Sequence, residues 1–334
     1  MFVRPRIRAL SLGELLDESF RLYRSNFVTF VAITALIMVP YSLISLVMQW
    51  PLQTQLAELQ NQTSSGNPLG AQSPFAIMGE FFFWYAVLIV VSLLYTVVFQ
   101  PLLEGALAHS IAQRYLSREI GVGSSFGMAL RHAPALIGAR LLPVLIGALF
   151  TGIFIGGGML LAGLIIGQGI NDEFDSSSLS AILGLSMLGF AVAAALALIG
   201  LALMLRIMFT SQAVIVENAG PLQALVRSWR LTQGSFWRIL GYAVLIWLIV
   251  SLLAALPAGT IGFFAGLTGM DPRIQLVLNT SASAVLNVIA TPFSMIAYTL
   301  LYFDLRVRNE GFDLEYQANA LLPGTVGMSA FESR

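Results

Sequence analysis

Residues 19–27, Ser19 to Phe27, read SFRLYRSNF, and residues 228–236, Ser228 to Phe236, read SWRLTQGSF. Each stands directly ahead of a long apolar run. Aligned without gaps, 16–27 and 225–236 share Leu, Ser, Arg, Leu and Phe at five of twelve positions, and Phe20 meets Trp229. In the wider first stretch, SLGELLDESFRLYRSNF, Leu12, Leu15, Leu16, Phe20, Tyr23 and Phe27 recur at three-and-four spacing while Glu14, Asp17, Glu18, Arg21 and Arg24 take other faces. That periodicity predicts an amphipathic helix. Ser11 with Glu14 forms a capping box, and Leu10 with Leu15 a hydrophobic staple, so the helix starts at about Ser11. In GPLQALVRSWRLTQGSF, Pro221 suits a first helical position and Gly234 a C-terminal cap, with Leu222, Leu225, Val226 and Trp229 as the apolar stripe. A fainter third copy is SSFGMALRHAPALIG at 124–138, with Phe126, Leu130 and Ala133 as its stripe and Arg131 in the arginine position.

Working outward, six apolar runs are each long enough to cross a bilayer, which takes about 20 residues. They are roughly 27–50, 81–103, 141–167, 181–205, 239–266 and 276–303. The chain is 57% hydrophobic and only 10% charged over 334 residues. A soluble domain carries about 25% charged residues, so a large soluble core is excluded. Lipid offers no partner to a free backbone amide, so the runs must be helical. The expected fold is an all-α integral membrane protein with six transmembrane helices and interfacial amphipathic helices. The repeating unit is one amphipathic helix and two spans, over about 10–104, 121–217 and 220–316, within a single transmembrane domain 1–316 followed by a tail 317–334. An even number of spans per unit gives all three the same orientation and predicts a pseudo-threefold, parallel bundle.

All 17 basic residues are arginine. Sixteen fall in segments on one side of the six runs and only Arg273 on the other, which by the positive-inside rule places both termini in the cytoplasm of a bacterial inner membrane. The first run is too long for a signal peptide's apolar region and is expected to remain as an uncleaved span. The outer loop containing NQTSSGNPLGAQSP is expected to be mobile. Amphipathic helices joined to spans are expected to lie in the headgroup region, with Phe20, Arg21, Leu130, Arg131, Trp229 and Arg230 as lipid contacts. Inside the bilayer, small residues four apart (Gly152 and Gly156, Ala258 with Gly262 and Gly266) are read as helix-packing sites.

Chemistry is sparse. There is no cysteine, which excludes disulfides and thiolate catalysis. His109 and His132 lack metal-ligand spacing, and no G-x-S-x-G or P-loop pattern occurs. No catalytic residue, cofactor, metal or nucleic-acid contact is expected; the expected partners are membrane lipids and other membrane proteins. Glu104, at the inner end of the second run, is expected to pair with Arg140 or Arg206 or to reach water, and Asn287 to hydrogen-bond across helices.

Three stretches, LGELLDESFRLYRSNF, ALVRSWRLTQGSFWRILG and TLLYFDLRVRNEGFDLE, together resemble a family of bacterial six-span proteins labelled as similar to the membrane domain of glycerophosphoryl diester phosphodiesterases. The resemblance runs from Leu12 to about Glu315 and implies the same helical architecture. It carries over no catalytic residue, because no soluble stretch here is long enough for the catalytic barrel. The expectation is a non-enzymatic accessory or scaffold in the membrane, ahead of a transporter of a lipid or amphiphile, with a membrane-embedded hydrolase last. A continuous central cavity would favour transport, and a densely packed centre would defeat it.

Overall fold

The computed structural model describes residues 8–64, 74–115, 121–169, 176–312 and 314, and among them there is no strand. The expected tail and most of the outer loop after Ser64 lie outside the described residues. The helices are α1 (Leu12–Ser25), α2 (Phe27–Ser64), α3 (Pro74–Leu94), a π-helical turn (Tyr95–Phe99), α4 (Gln100–Tyr115), α5 (Val122–Arg131), α6 (Ala133–Gly169), α7 (Ser176–Ile207), α8 (Thr210–Glu217), α9 (Pro221–Leu231), α10 (Phe236–Thr268) and α11 (Pro272–Glu310). Six stretches are long and apolar enough to cross a membrane: Phe27–Gln55, Gly79–Tyr115, Ala133–Met159, Ser186–Glu217, Phe236–Thr268 and Pro272–Glu310. The protein is an all-α, multi-pass membrane protein. The second span is α3 and α4 joined through the π turn, and the fourth is α7 and α8 with a break at Met208–Phe209.

The most apolar window of α11 is 50% buried, against 0–17% for the other five, so α11 is the central post. It packs against α2 on one side, α10 on another, and α4 behind. The core gathers at the end carrying the short helices, around Leu103, Leu107, Ile111, Phe209, Leu301 and Tyr302. Toward the far end α6, α7 and α10 turn apolar side chains such as Phe154, Phe190 and Phe263 outward, as lipid-facing surfaces do.

The three short helices share one mode of packing. α1 lies on α11, α5 on α4, and α9 on α8 and α6. Each thus sits on the span that closes the unit before it, taken cyclically. The ring of Phe20 lies 4.6 Å from that of Phe293, and the Tyr23 hydroxyl donates to the Ile289 carbonyl at 2.8 Å. The buried edge of each helix departs from the predicted stripe, sharing with it only Leu15 on α1 and Leu225 on α9. α1 buries Leu15, Ser19 and Leu22; α5 buries Ser125 and Ala129; α9 buries Ala224, Leu225, Ser228 and Leu231. Ser19, Ser125 and Ser228 are each fully buried. A serine is small enough for close helix approach, and its hydroxyl returns to the backbone: Ser19 Oγ donates to Leu15 O at 2.7 Å and Ser228 Oγ to Arg206 O at 2.8 Å. A hydrophobicity pattern scores these positions as polar and so rotates the stripe. The larger predicted residues, Leu222, Val226, Trp229 and Leu130, face outward.

The start of α1 follows the capping prediction. Glu14 N donates to Ser11 Oγ at 3.2 Å, Ser11 N to Glu14 Oε2 at 2.8 Å, and Arg8 reaches the same carboxylate at 2.6 Å. Just before it, the Leu10 amide donates to the fully buried Asp304 carboxylate at 2.8 Å. Arg238 and Arg308 each reach both Asp304 and the Leu10 carbonyl. This latch fixes the chain ahead of α1 onto α10 and α11. Gly234, read as a helix cap, falls three residues beyond α9, where its φ of 77° turns the chain into α10.

The glycine stripes are a correction. A Cβ added at Gly152, Gly156, Gly262 or Gly266 meets nothing within 4 Å among the described residues, and there these glycines pack against no neighbouring helix. Close approach falls instead at Gly105, where a Cβ would meet Leu136 Cδ1 at 2.6 Å, and at Gly138, 3.1 Å from Pro221. Both lie at the buried end, where helices converge; the predicted stripes lie where they splay.

Candidate functional site

The candidate site is built from two polar stripes facing each other. On α2, Ser42, Ser45, Gln49 and Gln53 follow one face; on α11, Gln275, Asn279, Ser283, Asn287, Thr291 and Ser294 recur every three or four residues. They line a far-end cavity of about 510 Å³ and a middle cavity of about 430 Å³, which share Tyr41, Ser42 and Asn287. A polar group turned to lipid without a partner is costly, so a stripe of this length needs water, a ligand or polar protein beside it. From Gln275 to Tyr298 the stripe and its continuation extend about 35 Å at 1.5 Å per residue, against a hydrocarbon thickness of about 30 Å.

The third wall comes from the second span, where the π turn sets the register. Its i→i+5 bond runs from Gln100 N to Tyr95 O. In an unbroken α-helix Tyr95 would share a face with Phe99 and Leu103. The additional residue puts it in line with Gln100 and Glu104 instead, and all three line the middle cavity. Tyr95 stacks on Tyr41 with ring centroids 3.8 Å apart, which pins the turn to α2.

Glu104 closes the middle cavity and opens the next. Its carboxylate accepts from Gln100 Nε2 at 3.0 Å and Ser211 Oγ at 2.8 Å, and lies 3.3 Å from Arg140 Nη1. The pair is largely buried, with 18% and 24% of the two side chains exposed. A third cavity of about 340 Å³ lies beyond, toward the short-helix end, and shares Glu104 and Met295 with the middle one. Its polar wall includes Arg140, Ser211, Gln212 and Tyr298; its apolar wall includes Leu136, Pro143, Met204 and Leu205. Gly105 lets α4 close on Leu136 at this point. Three cavities therefore adjoin end to end, with one ion pair at the inner junction.

Of the two arginines considered for Glu104, it is Arg140 that meets it. Arg206 lies with its guanidinium 5.1 Å from the Trp229 ring centre. Asn287 makes no hydrogen bond across helices among the described residues; it is exposed to the cleft, because α2 and α11 part at that level. Phe20, Arg21, Leu130, Arg131, Trp229 and Arg230 lie on three separate short helices, all exposed, and form no common site. His132 Nδ1 lies 3.1 Å from the Met128 carbonyl. Among the described residues no three His, Asp or Glu side chains converge on a metal-sized space. A second charged cluster lies outside the cleft: Arg227 bridges Glu217 at 2.7 Å and Glu310, and Tyr302 donates to Glu217. Those two carboxylates push the Arg227 guanidinium above its usual range, the Glu310 bond contributing most.

An all-helical, six-span membrane protein with a polar cleft along its central helix is thus the class. The chain belongs to the family described as a domain of unknown function (DUF7847), which matches residues 36–304. That match covers every residue placed in the cleft. No curated protein and no solved structure matches the chain.

Proposed function

We propose that this protein is a transporter of a lipid or other amphiphilic small molecule, working in a bacterial inner membrane with both termini cytoplasmic. The observation that carries this reading is the run of three adjoining cavities, polar along α2 and α11 and interrupted by the Glu104–Arg140 pair. A scaffold has no use for a polar stripe across the bilayer, and its maintenance against lipid is costly. The threefold parallel repeat belongs to the same proposal: the cyclic seating of α1, α5 and α9, each with a buried serine, supports it. The accessory or scaffold reading is kept for one observation, the outward apolar face of α9 formed by Leu222, Val226 and Trp229, which suits a lipid surface or a partner helix.

The absence of cysteine makes the test direct. Single cysteines in sealed vesicles are challenged with a membrane-impermeant maleimide from each side. Transport predicts that Ser283→Cys and Asn287→Cys react from the side holding Arg273, and Ser211→Cys from the side holding Arg227. Val285→Cys and Leu278→Cys, on the lipid face, stay unlabelled. Labelling that tracks depth and ignores helix face would refute the cleft, and a Ser211→Cys inert from both sides would refute passage.

A further inference from the structure

Among the described residues, two side-chain atoms at the innermost cavity lack partners, and together they describe a ligand. Arg140 spends Nη1 on Glu104, yet its Nε–H is buried with no acceptor. Gln212 is 2% exposed and its Oε1 is buried with no donor. Both side chains line the same cavity. An unsatisfied buried donor or acceptor is expensive, and native proteins leave few. The neighbouring surface from Leu136, Pro143, Met204 and Leu205 is apolar and offers nothing to either group. We propose that this cavity binds the head of a single-chain anionic amphiphile whose head carries an oxyanion and a hydroxyl: the oxyanion accepts from Arg140, the hydroxyl donates to Gln212, and the chain runs along the apolar wall. This gives a ligand class to the proposed transport cleft and rests on that reading.

The test is equilibrium binding of radiolabelled 3-hydroxydodecanoate to the full chain in nanodiscs of zwitterionic lipid. Dodecanoate and dodecylamine serve as comparison probes. The expected result is binding at least 10-fold weaker in Arg140→Gln than in the wild type. Gln212→Met, a change of similar size at the cavity wall, erases the preference for the hydroxylated chain over dodecanoate and guards against an Arg140 variant that fails to fold. Dodecylamine binding as tightly, or Gln212→Met leaving the hydroxyl preference intact, would overturn the ligand class. If the cysteine variants label as transport predicts while the probe does not bind, the ligand class alone falls; if they do not, the cleft reading falls with it.

Discussion

The Glu104–Arg140 pair yields a quantitative prediction through three variants. At 3.3 Å and an effective dielectric of ~20 the attraction is about 5 kcal/mol, of which desolvation offsets a large share. Removing one partner exposes what remains. Glu104→Gln leaves the Arg140 charge partly buried with no anion, and its Nε already lacks an acceptor; the expected loss of stability is about 3 kcal/mol. Arg140→Gln leaves Glu104 with Gln100 and Ser211 as donors, so the expected loss is smaller, about 2 kcal/mol. The double variant keeps a polar pair of similar volume and should lose about 2 kcal/mol in all, a coupling of about 3 kcal/mol. The assay is reversible denaturation in mixed micelles, followed by the fluorescence of the five tryptophans. Additive single losses, with coupling below about 0.5 kcal/mol, would refute the pair as an energetic unit.

Other outcomes follow from the packing and the caps. Asp304→Asn removes the anion that two arginines and the Leu10 amide share, and should cost about 3–5 kcal/mol while opening the chain before α1 to protease under native conditions. Ser19→Leu and Ser228→Leu force bulk into closed helix contacts and should each cost about 1–3 kcal/mol, whereas exposed Ser124→Leu should be near neutral by the same measurement. The Glu14 carboxyl is held at about 2 against an ordinary 4.5, first by the Ser11 amide and then by Arg8. Because its folded value is depressed, the stability it adds is complete above pH 4.5 and is lost as pH falls toward 2. The gap in thermal midpoint between wild type and Glu14→Gln should therefore stay constant from pH 8 to 5 and close below pH 4.5.

The spans and the start of α1 were legible because their signals are local: apolar runs of sufficient length, and a serine three residues before a glutamate. The cleft was written in the sequence less audibly. The polar residues of α11 from Gln275 to Ser294 keep helical spacing, and its mean hydropathy of 1.7 is the lowest of the six spans. Averaging over a window dilutes such a stripe to the level of an ordinary span, since apolar residues on the other faces outnumber it. Glu104 stood out as a charge, yet its alignment with Tyr95 depends on the π turn, which has no local sequence signature. Choosing Arg140 over Arg206 needed the α4–α6 approach at Gly105, a long-range contact. Gln212 was passed over because a single amide near a span end resembles many solvated ones, and only its burial distinguishes it.

The latch between Leu10 and Asp304 joins positions 294 residues apart. Translation delivers the first of these near the outset and the second only when the sixth crossing emerges. Until then α1 has no seat, since its seat is α11, whereas α5 and α9 can settle on spans already inserted. Biogenesis should accordingly proceed with its earliest element waiting longest, and a chain arrested before Pro272 would present α1 unattached to any quality-control protease that surveys the membrane surface.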